Sequence, residues 1–227
     1  MKNFLVCIVL PFLVISCSTD SEFNASEEIN SIGLEESPSS KIPENQANPF
    51  DAKGKKYREL LDIYWANNGV PNSALEISKQ IHFVSMNLKR GGFSNKLSTT
   101  IPAEEITRIM NDPLQHLTEI VGASSLGDGA KLVLIYFIES LIEHKEYDYE
   151  AMYDHIVFYE TFVMNSPALT EKEKEFLLSV TAISRYSTDA ESKHKDRDWE
   201  ISVGNKAKQS VNDKYAVSIV SIIALLR

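Results

Sequence analysis

The sequence predicts an all-α fold of about seven or eight helices behind a disordered N-terminal tether. Three observations carry that expectation. Apolar residues recur at three- and four-residue spacing through most of the chain after residue 50, as one face of a helix requires. No apolar–polar alternation runs longer than four residues, and no turn dipeptide joins two such runs into a hairpin. Residues 18–50 show neither pattern and are rich in Ser, Glu, Asn and Pro, a composition that cannot build a core.

The helices follow in order. Asp51 is a candidate N-cap for a helix running to about Asn67, with Tyr57, Leu60, Leu61, Tyr64 and Trp65 on one face. Asn67-Asn68-Gly69 ends it, and Pro71 follows. A second helix spans residues 73–90, with Ile77, Ile81, Val84 and Leu88 in register, and Gly91-Gly92 stops it before a polar loop over 93–100. Residues 102–111 form a short helix with Ile106, Ile109 and Met110 inward, and Asp112-Pro113 breaks it. Leu114, Leu117, Ile120 and Val121 mark another. Asp128 is placed to cap a helix over 130–145, whose centre at 132–138 is apolar all round and predicts burial on most sides. A helix over 149–164 carries Met152, Ile156, Tyr159 and Val163. Thr170-Glu171-Lys172-Glu173 is a capping box, and it opens a helix bearing Phe176, Leu177, Val180 and Ile183. Residues 187–198 read as a charged loop, and 205–226 as the last helix, with its apolar half at 215–226. That half is too short to cross the roughly 30 Å of a bilayer and is expected to close the core.

The N-terminus sets the expected location. Lys2 precedes an apolar run over residues 4–15, which is of secretory-signal length and shorter than the roughly 20 residues of a membrane span. The run ends in Val14-Ile15-Ser16-Cys17, which resembles the lipobox of bacterial lipoproteins. The resemblance implies lipidation of Cys17, removal of residues 1–16, and attachment to the membrane through acyl chains. Cys7 would leave with the signal, so no disulfide is expected. Ser18-Thr19-Asp20-Ser21-Glu22 resembles the acidic export tag of Bacteroidota surface lipoproteins. Asn48-Pro49-Phe50-Asp51 followed by Gly54 resembles the opening of a group of uncharacterised lipoproteins from the same bacteria, with Tyr57-Arg58 where that group has His-Asn. The division read from this is signal peptide and lipidated cysteine over 1–17, acidic linker over 18–50, and helical domain over 51–227.

Charge narrows the partners. The chain carries a formal charge of −9, and residues 18–50 hold seven acids against one lysine. Phosphate backbones need a basic face, so nucleic acid is not an expected partner, and anionic headgroups offer no attraction beyond the acyl anchor.

Chemical signatures are sparse. The densest set of ligating side chains, Glu143, His144, Glu146 and His155, stands at one helix–helix corner and forms the candidate cation site. It lacks the His-Glu-x-x-His spacing of a helical zinc site, so neither metal nor cofactor is expected. No Gly-x-Ser-x-Gly elbow and no phosphate loop is present, and the mature chain's one cysteine is committed to lipid, so no catalytic residue is assigned. Tyr147, Tyr149 and Tyr153 fall where polar residues are expected and are the candidate binding side chains for a protein or glycan. The function expected is a lipid-anchored envelope protein, outer-membrane and possibly surface-exposed in location, with a non-enzymatic helical interaction domain. The alternatives are an envelope glycan hydrolase using paired carboxylates and a membrane-active antagonistic protein.

Overall fold

The computed structural model describes residues 41–90, 101–144, 147–202 and 217–226. These are helical apart from turns and the coil at 41–50, in the order α1 (Asp51–Asn68), α2 (Ala74–Arg90), α3 (Ala103–Asn111), α4 (Pro113–Gly122), α5 (Asp128–Glu143), α6 (Tyr149–Asn165), α7 (Glu171–Ser202) and α8 (Val217–Leu225). The all-α expectation holds. The expected signal, lipobox and tether as far as residue 40 lie outside the described residues, as do the expected loop over 93–100, Glu146 and the first part of the expected last helix.

The longest helix organises the rest. α7 runs for 32 residues, about 48 Å, and packs along α1 and α6 while touching α5 and α8. Its start is the capping box read from the sequence: Thr170 N donates to Glu173 Oε2 at 2.8 Å, and Glu173 N donates to Thr170 Oγ1 at 3.3 Å. Glu173 Oε1 also accepts from Gly127 N at 3.0 Å, tying the start of α5 to the start of α7. These donors hold the Glu173 carboxyl below its ordinary range. The charged loop expected over 187–198 is instead continuous helix. Tyr186, Ser187, Asp189 and Ala190 are buried there, and Lys193 Nζ lies 2.9 Å from Asp189 one turn away. No glycine or proline interrupts residues 169–202, so nothing in the sequence stops the helix.

Two hydrophobic clusters fill the interior. The larger joins Leu134, Phe137, Ile138 and Leu141 of α5 to Ile106 and Ile109 of α3, Leu117 of α4, Ile156 of α6, and Ile219, Val220, Ile222 and Ile223 of α8. The smaller joins Tyr57, Leu60 and Leu61 of α1 to Val84 and Leu88 of α2 and Ala190 of α7. Burial pushes the Tyr57 hydroxyl up to about 12, against the hydrogen bonds it shares with Ser187 and Ser221. α8 therefore closes the core as expected. Its two buried serines face neighbours: Ser218 Oγ donates to Glu191 at 2.5 Å, and Ser221 meets Gln80 at 3.5 Å. No helix among the described residues is long and apolar enough to cross a membrane.

Three local expectations change. Asp128 is the first residue of α5 rather than its cap; the N-cap is Gly127, with no side-chain hydrogen bond. Asp51 likewise begins α1, and its carboxylate turns to α7 instead of the helix end. The centre of α5, expected to be buried on most sides, leaves Leu132 and Tyr136 69 % and 68 % exposed. Among the described residues, no helix packs over the side of α5 that carries them.

Candidate functional site

The contact between α1 and α7 is built on a missing side chain. A Cβ on Gly54 would lie 2.5 Å from the Ala182 carbonyl oxygen and 2.5 Å from Tyr186 Cδ2, so only glycine lets the two helices approach this closely. N-terminal to Gly54, residues 41–50 lie across α6 and α7 as a strap. The sequence reading ran the linker through these residues, and the structure places them on the helical array instead. Their order comes from side-chain hydrogen bonds, which leave no periodic trace in a sequence.

The strap is held by a buried ionic network. Glu160 on α6 and Arg185 on α7 are both 0 % exposed, with Arg185 Nε 3.1 Å from Glu160 Oε1. Glu160 also accepts from Asn45 Nδ2 at 2.6 Å, Asn48 Nδ2 at 2.6 Å and Thr181 Oγ1 at 2.9 Å. Asn48 reaches further, to the Leu178 carbonyl at 2.9 Å. Arg185 Nη2 donates to Asp51 Oδ1 at 2.6 Å, its Nη1 donates to the Pro43 carbonyl, and Tyr186 Oη donates to Asp51 Oδ2 at 2.9 Å. Burial opposes charge on Arg185, but the Glu160 and Asp51 carboxylates outweigh it and raise its pKa above the ordinary value. The fork geometry of a guanidinium suits two carboxylates and a carbonyl at once. Glu160 and Asp51, the carboxylates brought together here, are thus both engaged by Arg185 and by the strap's own donors.

The three candidate tyrosines divide. Tyr147 is exposed, with its ring edge-on to His144 at 4.6 Å. Tyr153 serves the strap: its hydroxyl donates to the Glu44 carbonyl at 3.0 Å, and its ring lies under Lys41 Nζ at 5.5 Å and Arg185 at 6.0 Å. Lys41 closes the strap's outer end on Asp154 at 2.5 Å. Tyr149 is half-buried, and its hydroxyl is enclosed with no hydrogen-bond partner. Burial and the nearby Asp189 carboxylate push its pKa well up.

The candidate cation corner is a stacked histidine pair. His144 and His155 lie with ring centroids 5.0 Å apart. Ser140 engages both, through its carbonyl at 2.6 Å from His144 Nδ1 and its hydroxyl at 2.7 Å from His155 Nε2. Glu143 is exposed beside them. No group of three or more His, Cys, Asp or Glu side chains among the described residues is placed to hold a metal ion. Desolvation, with a contribution from His144, holds His155 below its ordinary pKa of 6.5. Folding therefore favours the neutral ring. The stability this contributes is present above the unfolded pKa and is lost as pH falls through the folded one. Thermal melts are expected to shift down between about pH 7 and pH 5, and His155→Gln is expected to flatten that slope. An identical slope in the variant would remove His155 as its cause.

The histidine pair joins the sides of α5 and α6 that face each other. Val133 and Phe137 lie on the same side, with Tyr159 Oη donating to the Val133 carbonyl at 2.8 Å and the Tyr159 ring 4.4 Å from Phe137. Leu132 and Tyr136 on α5 sit one step around the helix, away from Leu134, Ile138 and Leu141. Phe158 and Phe162 on α6, 76 % and 53 % exposed, likewise sit beside Tyr159 and away from Ile156 and Val163. The four side chains share the outer face of the α5–α6 pair.

Elsewhere, a cavity of about 160 Å³ opens between α1 and α2, lined by Tyr64, Asn68, Gly69, Pro71, Glu76 and Lys79. No family model matches the chain, and no curated protein or solved structure matches it.

The sequence reading missed Glu160 and Arg185. A signal existed. Glu160 stands on the apolar face of α6 marked by Met152, Ile156 and Val163, and Arg185 on the face of α7 marked by Leu178 and Ala182. One charge on the buried face of each of two helices points to a pair.

Proposed function

We propose that the chain is a lipid-anchored protein of the bacterial cell envelope whose helical domain is a non-enzymatic interaction module. The observation that carries the interaction half is the outer face of α5 and α6. Three aromatic rings and a leucine stand in solvent on two ordered helices, where burial against the core accounts for none of them. The anchoring half rests on Val14-Ile15-Ser16-Cys17 behind a short apolar run, followed by a polar stretch long enough to separate domain from membrane.

Intact mass of protein extracted from membranes is expected to lack residues 1–16 and to carry acyl chains, and Cys17→Ser is expected to move it to the soluble fraction. A membrane-extracted chain with a free Cys17 thiol would end the anchoring half. A photo-crosslinking residue at position 136 or 158 in intact cells is expected to give adducts of discrete mass, and none at Leu75, an exposed apolar position on α2. Equal yields at all three positions would end the interaction half.

A further inference from the structure

We infer that the outer face of α5 and α6 docks a cationic amphipathic helix, an inference that rests on the interaction reading above. Leu132 and Tyr136 are one turn apart on α5, as are Phe158 and Phe162 on α6, and each pair is exposed by half or more. At these exposures the four side chains present roughly 500 Å² of apolar surface, in the range of the largest patches on single-domain proteins. The side chains that space α5 from α6 are large: Phe137 and Tyr159 meet between the helices, ring centroids 4.4 Å apart and planes tilted by 32°. The two exposed rows flank the strip where these rings fill the space between the helices, and in this inference that strip is the trough on which a partner lies.

The charges around the trough select its occupant. Glu139 and Glu143 continue the α5 row beyond Tyr136, Asp128 precedes it, and Glu150 lies two turns before Phe158 on α6. Among the described residues, Lys131 Nζ is drawn off to the Gly122 carbonyl at 3.0 Å, and Lys41 is paired with Asp154. Among the described residues, neither Glu139 nor Glu143 is paired with a lysine or arginine. The face is thus apolar along Leu132, Tyr136, Phe158 and Phe162 and acidic beyond them, at Glu139 and Glu143 on one side and Asp128 on the other. A second copy of the chain meeting this face about a two-fold axis along the rows would set the same carboxylates against each other, an axis across the rows would offer them no basic partner, and an anionic lipid surface would be repelled by them. A helix with apolar residues along one stripe and Lys or Arg beside it matches both the apolar rows and the carboxylates beyond them. The row from Leu132 to Glu143 spans about 17 Å, so three turns of partner helix cover it.

The test uses the whole chain carrying Cys17→Ser and three synthetic 18-residue peptides: Leu/Lys amphipathic, Leu/Glu amphipathic, and Lys/Ser with the same positive charge but no apolar stripe. Fluorescence anisotropy is expected to show Leu/Lys binding at least about tenfold tighter than either control. Tyr136→Ser and Phe158→Ser are each expected to weaken it about tenfold, and Leu75→Ser to leave it unchanged. The double variant Glu139→Gln, Glu143→Gln is expected to weaken it and to reduce its salt dependence. Equal binding of Leu/Lys and Lys/Ser, or no effect of the face variants on Leu/Lys, overturns the docking inference. If sedimentation instead shows a dimer abolished by Tyr136→Ser, or vesicles of zwitterionic lipid capture the chain through the same residues, the cationic helix is overturned while the face keeps its role as an interaction surface. If position 136 and 158 variants change neither peptide binding, self-association, vesicle capture nor the cellular crosslinks, both readings fall together.

Discussion

Ending the chain before Val217 is expected to abolish the cooperative thermal transition and leave an aggregating product. α8 packs against α2, α3, α4, α5 and α7, so its removal opens the larger cluster to water on several sides at once. Ile219, Val220, Ile222 and Ile223 are each 2 % exposed or less. Fully burying a side chain of this kind contributes about 1.5–3 kcal/mol, so the four together contribute on the order of 6–12 kcal/mol. A domain's whole net stability is typically about 5–15 kcal/mol. The truncation also strips partners from Tyr57, Gln80 and Glu191, which meet Ser221 or Ser218. Calorimetry checks this, with Ile223→Ala as a milder companion expected to lower stability by about 2–5 kcal/mol while leaving the transition cooperative. A truncated chain that melts at the parental temperature would show that α8 is dispensable to the core.

The second large effect is expected at the charge pair under the strap. Glu160→Ala leaves Arg185 with one carboxylate fewer and strips an acceptor from Asn45, Asn48 and Thr181 in a single change. Removing one partner of a buried pair costs about 3–5 kcal/mol, because the remaining charge and donors stay desolvated. In a domain of this size that is a drop in melting temperature of roughly 10 °C. The loss falls unevenly. Residues 41–50 are fixed chiefly through Glu160 and Arg185, so protease is expected to cut at 41–50 in the variant under native conditions while the α-helical core survives. Adding Arg185→Met to Glu160→Ala is expected to cost less than Arg185→Met costs alone, since the pairing with Glu160 is already gone. If the double variant is less stable than the sum of the singles, the guanidinium has a structural role beyond its pairing with Glu160.

How much of this was visible beforehand depended on what kind of force fixes each part. α1 declared itself because Tyr57, Leu60, Leu61 and Tyr64 are large, apolar and spaced for one face, and all are buried. The start of α7 was visible because a capping box is a local pattern with a local hydrogen bond. The second half of α7 was not. Its buried positions are Ser187, Asp189 and Ala190, small or polar, so hydropathy fades where the helix continues. Asp189 is tolerated there because Arg58 on α1 donates to it at 2.5 Å, a contact across 131 residues that no local window contains. The strap was misread for the same reason, since asparagines and a proline carbonyl bound to a buried carboxylate and guanidinium look like linker. α5 misled in the opposite direction. An apolar run reads as buried on most sides, and it does not distinguish side chains facing a core from those held out toward solvent.

Gly54, where a hydrogen atom alone fits between α1 and α7, belongs to a regular series. Asn48, Asp51, Gly54 and Tyr57 stand at three-residue intervals, and each meets α7 or the core: Asn48 at Leu178 and Glu160, Asp51 at Arg185 and Tyr186, Gly54 at Ala182, Tyr57 in the smaller cluster. The matching acid lies 112 residues after Asn48, and the arginine 25 residues after that acid. This makes a sparse fingerprint for ancestry. Surface helices can diverge until no alignment survives, because a solvated position accepts many residues. These positions admit few substitutes, since each loss strands a buried partner or forces two backbones apart. A chain that keeps this spaced quartet, a lone acid on an apolar helix face and an Arg-Tyr pair on the next helix shares the docking geometry even where overall identity has decayed to background.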